Sequence, residues 1–407
     1  MKNKTTTFAE HDESAGLALP NDAVPLEKVK RILMVKFRHL GDVLLMSASL
    51  SALKKSMPNA EIDVLIYSDT VSMLENHPAI RKIHTADREW KNFSFVDRLK
   101  NEWKCLKNLR KENYDLVFNL TEGDRGALAS LISGANWRVG LDDPRNMQSV
   151  WKKFAYTHKF RTDYNRRHMV EQNLDALRRI GIRVPINSEP LLFKIDKKDD
   201  DSSEEKLRSL DWDGEDFVII HPTSRWMFKC LPPKKVAYLA DYFYKKGLRV
   251  ILTSSSEKSE KSMILEVKQY IKNPLFDLSG ELTIKELGSL IAKAKIFSGT
   301  DSVPMHMAAA LGTPTLAWFG PSFEKVWHPW MVRQCLVSLD VSCRPCGFDG
   351  CGGGKRSEHL AADLRSKSLV TYLLLTNTCS CTMVTHDAHR VLAALGALAS
   401  SAGCRRA

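Results

Sequence analysis

Residues 298–322, SGTDSVPMHMAAALGTPTLAWFGPS, decide the fold. They follow an apolar strand end at 294–297. They read as a Gly-Thr-Asp-Ser turn, a short helix and a second strand. Asp301 or Ser302 can cap the helix, and Pro304 fits its first turn. Gly312 stops it, and Pro314 leads into a strand over 315–319. Such a strand, polar turn and helix start aim free backbone N–H groups and the positive end of a helix dipole at one spot, an anion site. His306 lies close enough to the helix start to face that spot. An ordinary α/β crossover with a capped helix has the same text.

The same rhythm runs through the chain. RILMVKF at 31–37 is a buried strand that enters Arg38-His39-Leu40-Gly41-Asp42, and a helix follows over 43–55. A turn at 57–60 leads to a strand at 61–67, so this is a right-handed parallel unit. A helix at 96–111, a strand at 114–120 and the polar loop 121–126 continue it, with a short strand at 138–141 and a helix over 167–180. Between 184 and 216 the composition shifts, and 197–205 is a charge run that reads as a solvated linker and helix start. Strands at 217–220, 249–253 and 276–278 then alternate with helices at 234–246, 260–271 and 284–294. The reading is an α/β protein with two Rossmann-like βαβ domains facing a cleft. We expect a polar leader at 1–28, a first domain at 29–185, a linker at 186–214, a second domain at 215–355 and an atypical tail at 356–407.

Length and charge narrow the classes. A chain of 407 residues suits two domains. Its formal net charge of +12 favours an anionic partner, and no nucleic-acid motif stands out. The first 30 residues lack the apolar core of a signal peptide, and no apolar run reaches the roughly 18 residues of a membrane span. Nine scattered cysteines suit a reducing, cytoplasmic setting. Cys343, Cys346 and Cys351 resemble half a zinc site, but three thiols fall short of four ligands, so a loop with free thiols is the preferred reading. Neither a P-loop nor a G-x-G-x-x-G turn is present.

A transferase of an activated sugar must neutralise a diphosphate, hold the sugar and take a proton from the incoming hydroxyl. Thr223 and Ser224, with Arg225 and Lys229 after them, form one turn that can meet a diphosphate; the helix starting near Ser302 is the other. Asp42, in the first domain's first strand-to-helix turn, is the candidate base, or simply a helix cap. No paired Asp-x-Asp suggests a metal-held diphosphate; cations and a helix end can supply that charge.

Three segments carry a family resemblance: ILMVKFRHLGD (32–42), HPTSRWMFK (221–229) and SGTDSVPMHMAAAL (298–311), with WFGPS at 318–322. They resemble the lipopolysaccharide core heptosyltransferases of glycosyltransferase family 9, with wording nearest the branch that adds the third heptose. The resemblance spans about residues 30–355, in order. It implies a glycosyltransferase-B fold, ADP-heptose in the second domain, and inverting transfer without a metal or other cofactor. Asp42 would be the general base. Thr223, Ser224 and Lys229 would hold the diphosphate, Thr300, Asp301, Ser302 and His306 would line the donor site, and Glu257 would reach the ribose. The acceptor would be an inner-core lipid on the cytoplasmic face of the inner membrane, met by a basic wall that includes Arg38, Arg125, Arg138 and the arginines of 161–167. The tail after about Arg356 does not read like the family's closing helix. A nucleotide-sugar epimerase of the same architecture, or a non-catalytic relative that binds lipopolysaccharide precursors, would share these segments.

Overall fold

A computed structural model describes residues 22–142, 151–338 and 344–347. Two parallel six-stranded sheets carry the fold. The first holds β1 (Arg31–Lys36), β2 (Glu61–Tyr67), β3 (Ile80–Ala86), β4 (Leu116–Asn119), β5 (Trp137–Leu141) and β6 (His158–Phe160) in the order β3-β2-β1-β4-β5-β6. The second holds β7 (Phe217–His221), β8 (Arg249–Leu252), β9 (Phe276–Asp277), β10 (Ile296–Thr300), β11 (Thr315–Phe319) and β12 (Gln334–Ser338) in the order β12-β11-β10-β7-β8-β9. The central strands are buried along nearly their whole length, as strands covered by helices on both faces must be.

Strand order reverses between β1 and β4 in one sheet and between β7 and β10 in the other. A crevice opens where neighbouring connections leave in opposite directions, beyond the strands' C-terminal ends. The turns after these four strands carry Asp42, Glu122, Thr223 and Asp301. The largest apolar cluster is continuous between the lobes, from Val43 and Leu44 to Met305 and Ala308.

The structure departs from the sequence expectations in three places. The helix expected over 43–55 is two helices, Leu40–Leu45 and Ser47–Ser56, joined at Met46. Its cap is His39, without a side-chain bond, so Asp42 lies inside the first turn and is not the cap. The 197–205 run does start a helix, as expected, but it is packed on the second lobe rather than a freely solvated linker. It is part of the helix Lys197–Arg208, whose Ser203 and Leu207 are buried against the second lobe's Ile284–Lys293 helix. Ser203 and Ser289 share a hydrogen bond of 2.7 Å, and Lys206 pairs with Glu286 at 2.7 Å. Finally, β3, β6 and β12 were not expected; all three are sheet edges, and in β3 and β6 charged and polar residues break the apolar run.

Further contacts tie the lobes together. His168 stacks on Trp330 with ring centres 4.4 Å apart, and its Nε2 lies 2.9 Å from the His328 carbonyl oxygen. Trp330 Nε1 donates to the Glu189 carbonyl at 2.8 Å. No helix among the described residues is long and apolar enough to cross a membrane.

Burial pushes His77, His221 and His306 down to about 4, so each is neutral in the native protein near pH 7. An unfolded chain takes up these protons near pH 6.5. Stability is therefore fully present above about pH 6.5 and is lost as the pH falls toward 4. Urea unfolding followed between pH 7.5 and 4.5 should show an unfolding free energy that falls below pH 6.5, by about 1 kcal/mol per pH unit for each such histidine. A flat profile would contradict the burial of neutral imidazoles.

Candidate active site

The second lobe's part of the site starts from β10. Its strand end, Thr300 and Asp301, is followed by the helix Val303–Leu311. Ser302 is the N-cap, but its side chain makes no capping bond; its hydroxyl donates instead to the Thr300 carbonyl at 3.3 Å. The first amides of this helix therefore lack the side-chain acceptor that ordinarily satisfies one of them, which suits an anion. Pro304 sits in the first turn as expected.

The turn after β7 meets this helix start. Lys229 Nζ lies 2.7 Å from Asp301 Oδ2, with both side chains largely buried. Thr300 Oγ1 donates to the Lys229 carbonyl at 2.8 Å. Burial works to raise the Asp301 pKa, but the charge of Lys229 and hydrogen bonds from Lys229 and Ser322 outweigh it, and the carboxyl is held below its ordinary range. His306 is buried, and its Nδ1 has no hydrogen-bond partner among the described residues.

Thr223 and Ser224 are less free than their sequence suggests. Thr223 is fully buried and its hydroxyl donates to Glu260 Oε2 at 2.6 Å. Ser224 Oγ accepts from the Trp226 amide at 3.2 Å. Glu260 also accepts from the Ser255 amide at 3.1 Å, so it braces the turns after β7 and β8 together. Sequence reasoning chose Glu257 in this loop; Glu257 is exposed at the same sheet edge, while the buried acid is three residues on.

The first lobe approaches from the opposite wall. A Cβ built on Gly41 would lie 3.2 Å from His306 Cδ2, a tight contact in which the ring would have to give by a few tenths of an ångström. Asp42, the next residue, lines a cavity of about 650 Å³ at the ends of β1 and β4–β6, closed on the far side by Val326 and Trp327 of the second lobe. Its carboxylate makes no hydrogen bond or ion pair among the described residues, and its charge is felt by both His306 and Lys36. Lys36 is buried beneath this cavity. It donates to the Leu120 carbonyl at 2.9 Å and to Asn173 Oδ1 at 3.1 Å. Burial pushes its pKa down to about 8, against the pull of Asp42. Asn173 Nδ2 lacks a partner among the described residues. Neither Lys36 nor Asn173 stood out in the sequence; their pairing across 137 residues leaves no local trace.

The expected basic wall does not form as one surface. Arg38 lines the Asp42 cavity and pairs with Glu122 at 2.6 Å. Arg125 instead pairs with Glu102 and lies over the rings of Phe37, Tyr67 and Trp90, in a separate groove. Arg138 is spent on the carbonyls of Ala135 and Ala155, and Arg167 on Glu171 and Asp175. Arg161 pairs with Asp142. One set of potential metal ligands stands together among the described residues, Asp63, His84 and Glu112. The Arg81 guanidinium bonds both acids there, and Asp63 faces Leu33 in register, three residues before the end of β1, so this set is apart from the cleft. Cys346 is a free thiol, and Cys343 and Cys351 lie outside the described residues.

The chain matches the model of glycosyltransferase family 9 (heptosyltransferase) over residues 102–354. It is 32% identical over 296 residues to lipopolysaccharide heptosyltransferase 3 of Escherichia coli, covering 72% of this chain and 84% of that one. It is 24% identical over 318 residues to lipopolysaccharide heptosyltransferase 1 of Pseudomonas aeruginosa, covering 78% and 86%. In fold it is similar to a family 9 glycosyltransferase from Veillonella parvula (TM-score 0.68, 22% identity, 78% and 88% covered). It is also similar to the E. coli ADP-heptose heptosyltransferase II (TM-score 0.66, 20% identity, 92% and 100% covered). The extent of the family match and the likeness to heptosyltransferase 3 together settle the assignment: the chain belongs to glycosyltransferase family 9, the heptosyltransferase family, and is a glycosyltransferase.

Proposed function

We propose that this glycosyltransferase moves heptose from ADP-heptose to a heptose of the lipopolysaccharide inner core, adding the third heptose with inversion, at the cytoplasmic face of the inner membrane. The observation that carries the reading is the approach of the Gly41 turn, next to Asp42, to Val303 and His306 on the second lobe's helix, the helix that follows the Lys229–Asp301 pair. The likeness to heptosyltransferase 3 supports the choice of substrates.

The donor diphosphate takes the uncapped N-terminus of the Val303–Leu311 helix and the ammonium of Lys229. Asp301 then turns to the hydroxyls of the sugar. The acceptor sugar fills the Asp42 cavity, which Asn173 also lines. The acceptor hydroxyl attacks the anomeric carbon on the face away from the diphosphate. Its proton passes to Asp42, the bond from the anomeric carbon to the phosphate oxygen breaks, and ADP leaves with the bonding pair. Lys229 and the helix dipole receive the developing negative charge, the task a metal ion performs elsewhere. We propose no cofactor, and treatment with a chelator should leave the rate unchanged.

Asp42→Asn should keep ADP-heptose affinity within about twofold and lower kcat by roughly 10²–10⁴. Calorimetry and product chromatography read the two effects, and near-normal turnover would remove Asp42 from the mechanism. Acceptor-independent consumption of ADP-heptose by the native protein would favour an epimerase. Lys229→Met should weaken donor binding at least tenfold. It also strands the buried Asp301 carboxylate, at a cost of about 3 kcal/mol in stability. The double variant Lys229→Met/Asp301→Asn should recover the stability and not the affinity, which separates ligand binding from folding.

A further inference from the structure

The helix Phe95–Lys111 has an apolar stripe that its own domain covers only in part. Leu106 and Leu109 are buried in the core. Phe95 and Leu99 continue the same stripe toward the N-terminus and stay exposed, Phe95 at 79%. Trp103, 61% exposed, and Val96 widen the apolar sector on one side. Next to them, Lys100, Lys104, Lys107 and Lys111 recur at intervals of 4, 3 and 4 residues, so they form one exposed row along the helix. Of the helix's two acids, Glu102 is neutralised by Arg125, which leaves Asp97 near its first turn.

An open groove of about 780 Å³ runs between this helix and the Asp124–Ser133 helix, with Leu128 and Trp151 on its far wall and Arg88, Lys91 and Arg98 at its rim. The helix follows β3, so its exposed N-terminal end stands at the same C-terminal sheet edge as Asp42. A contiguous exposed apolar sector marks a docking surface. Aromatic and leucine side chains beside a lysine row, on a helix lying at the surface, match an interface with apolar depth and negative headgroups.

We infer that the exposed face of the Phe95–Lys111 helix is a docking surface for an anionic phospholipid bilayer. Phe95, Leu99 and Trp103 enter the acyl boundary, and the lysine row lies on the headgroup phosphates. The inference deepens the membrane-face reading above, but it rests on the lipid surface alone and not on the identity of the donor.

Flotation of the full chain with phosphatidylglycerol-rich vesicles, against vesicles of phosphatidylcholine alone, tests it without any transfer reaction. Binding to the anionic vesicles should be at least tenfold tighter and should weaken as salt is raised. Phe95→Glu/Trp103→Glu and Lys100→Glu/Lys104→Glu should each cut that binding by about tenfold or more. Both variants should retain the native circular dichroism spectrum and the native rate on a water-soluble, deacylated core acceptor. Failure of the native chain to float with anionic vesicles would overturn the inference, and so would variants that bind as well as the native chain. A face covered by residues 348–407 or by a second copy of the chain gives the first of these results. A loss of transfer to the soluble acceptor would place the helix in the catalytic machinery and overturn it too.

Discussion

The approach of the Gly41 turn to His306 is the constraint on which the rest depends. Even a methyl group at 41 would press on the imidazole, and the ring or the first lobe's turn would have to give by a few tenths of an ångström. With glycine there, two strand-to-helix turns from different domains share one space. Each lies at the reversal point of its own sheet, so both are free of overlying helices on that side. The carboxylate of Asp42 and the helix start after Asp301 then stand on opposite walls of the space between the lobes, close enough for the charge of Asp42 to act on His306.

That volume is electrostatically divided. On the second lobe, Lys229 and the Val303 helix start offer positive potential, beside a His306 that burial keeps neutral. On the first lobe, Asp42 stands without a hydrogen bond among the described residues, above a lysine whose ammonium is weakened by burial. A buried ion pair such as Lys229–Asp301 adds little net stability, because desolvation cancels most of its attraction. Under the proposed mechanism its value is position: the lysine is already held where charge would appear as the leaving group departs, so little reorganisation would be needed in the transition state.

The central strands were legible in the sequence because burial on both faces leaves an unbroken apolar run, as in β1, β7 and β11. The edges β3, β6 and β12 were not, since each is covered by a neighbouring strand on one side only. Asp42, Lys229 and Asp301 could be chosen as polar residues just beyond buried strands. Their supports could not: Glu260 reaches Thr223 across 37 residues, and Lys36 reaches Asn173 across 137. Arg125 shows the opposite error. Its sequence position at the end of a strand suggested the cleft, but three aromatic rings and Glu102 draw it elsewhere.

The central claim is that one cleft holds the leaving group against the second lobe while Asp42 waits opposite. A crystal structure of the protein with ADP tests it most directly. The account predicts the terminal phosphate within hydrogen-bond distance of the backbone N–H groups of Val303 and Met305, with Lys229 Nζ on a phosphate oxygen and Asp42 across the gap. ADP seated away from residues 300–306, with the Lys229–Asp301 pair intact, would contradict it.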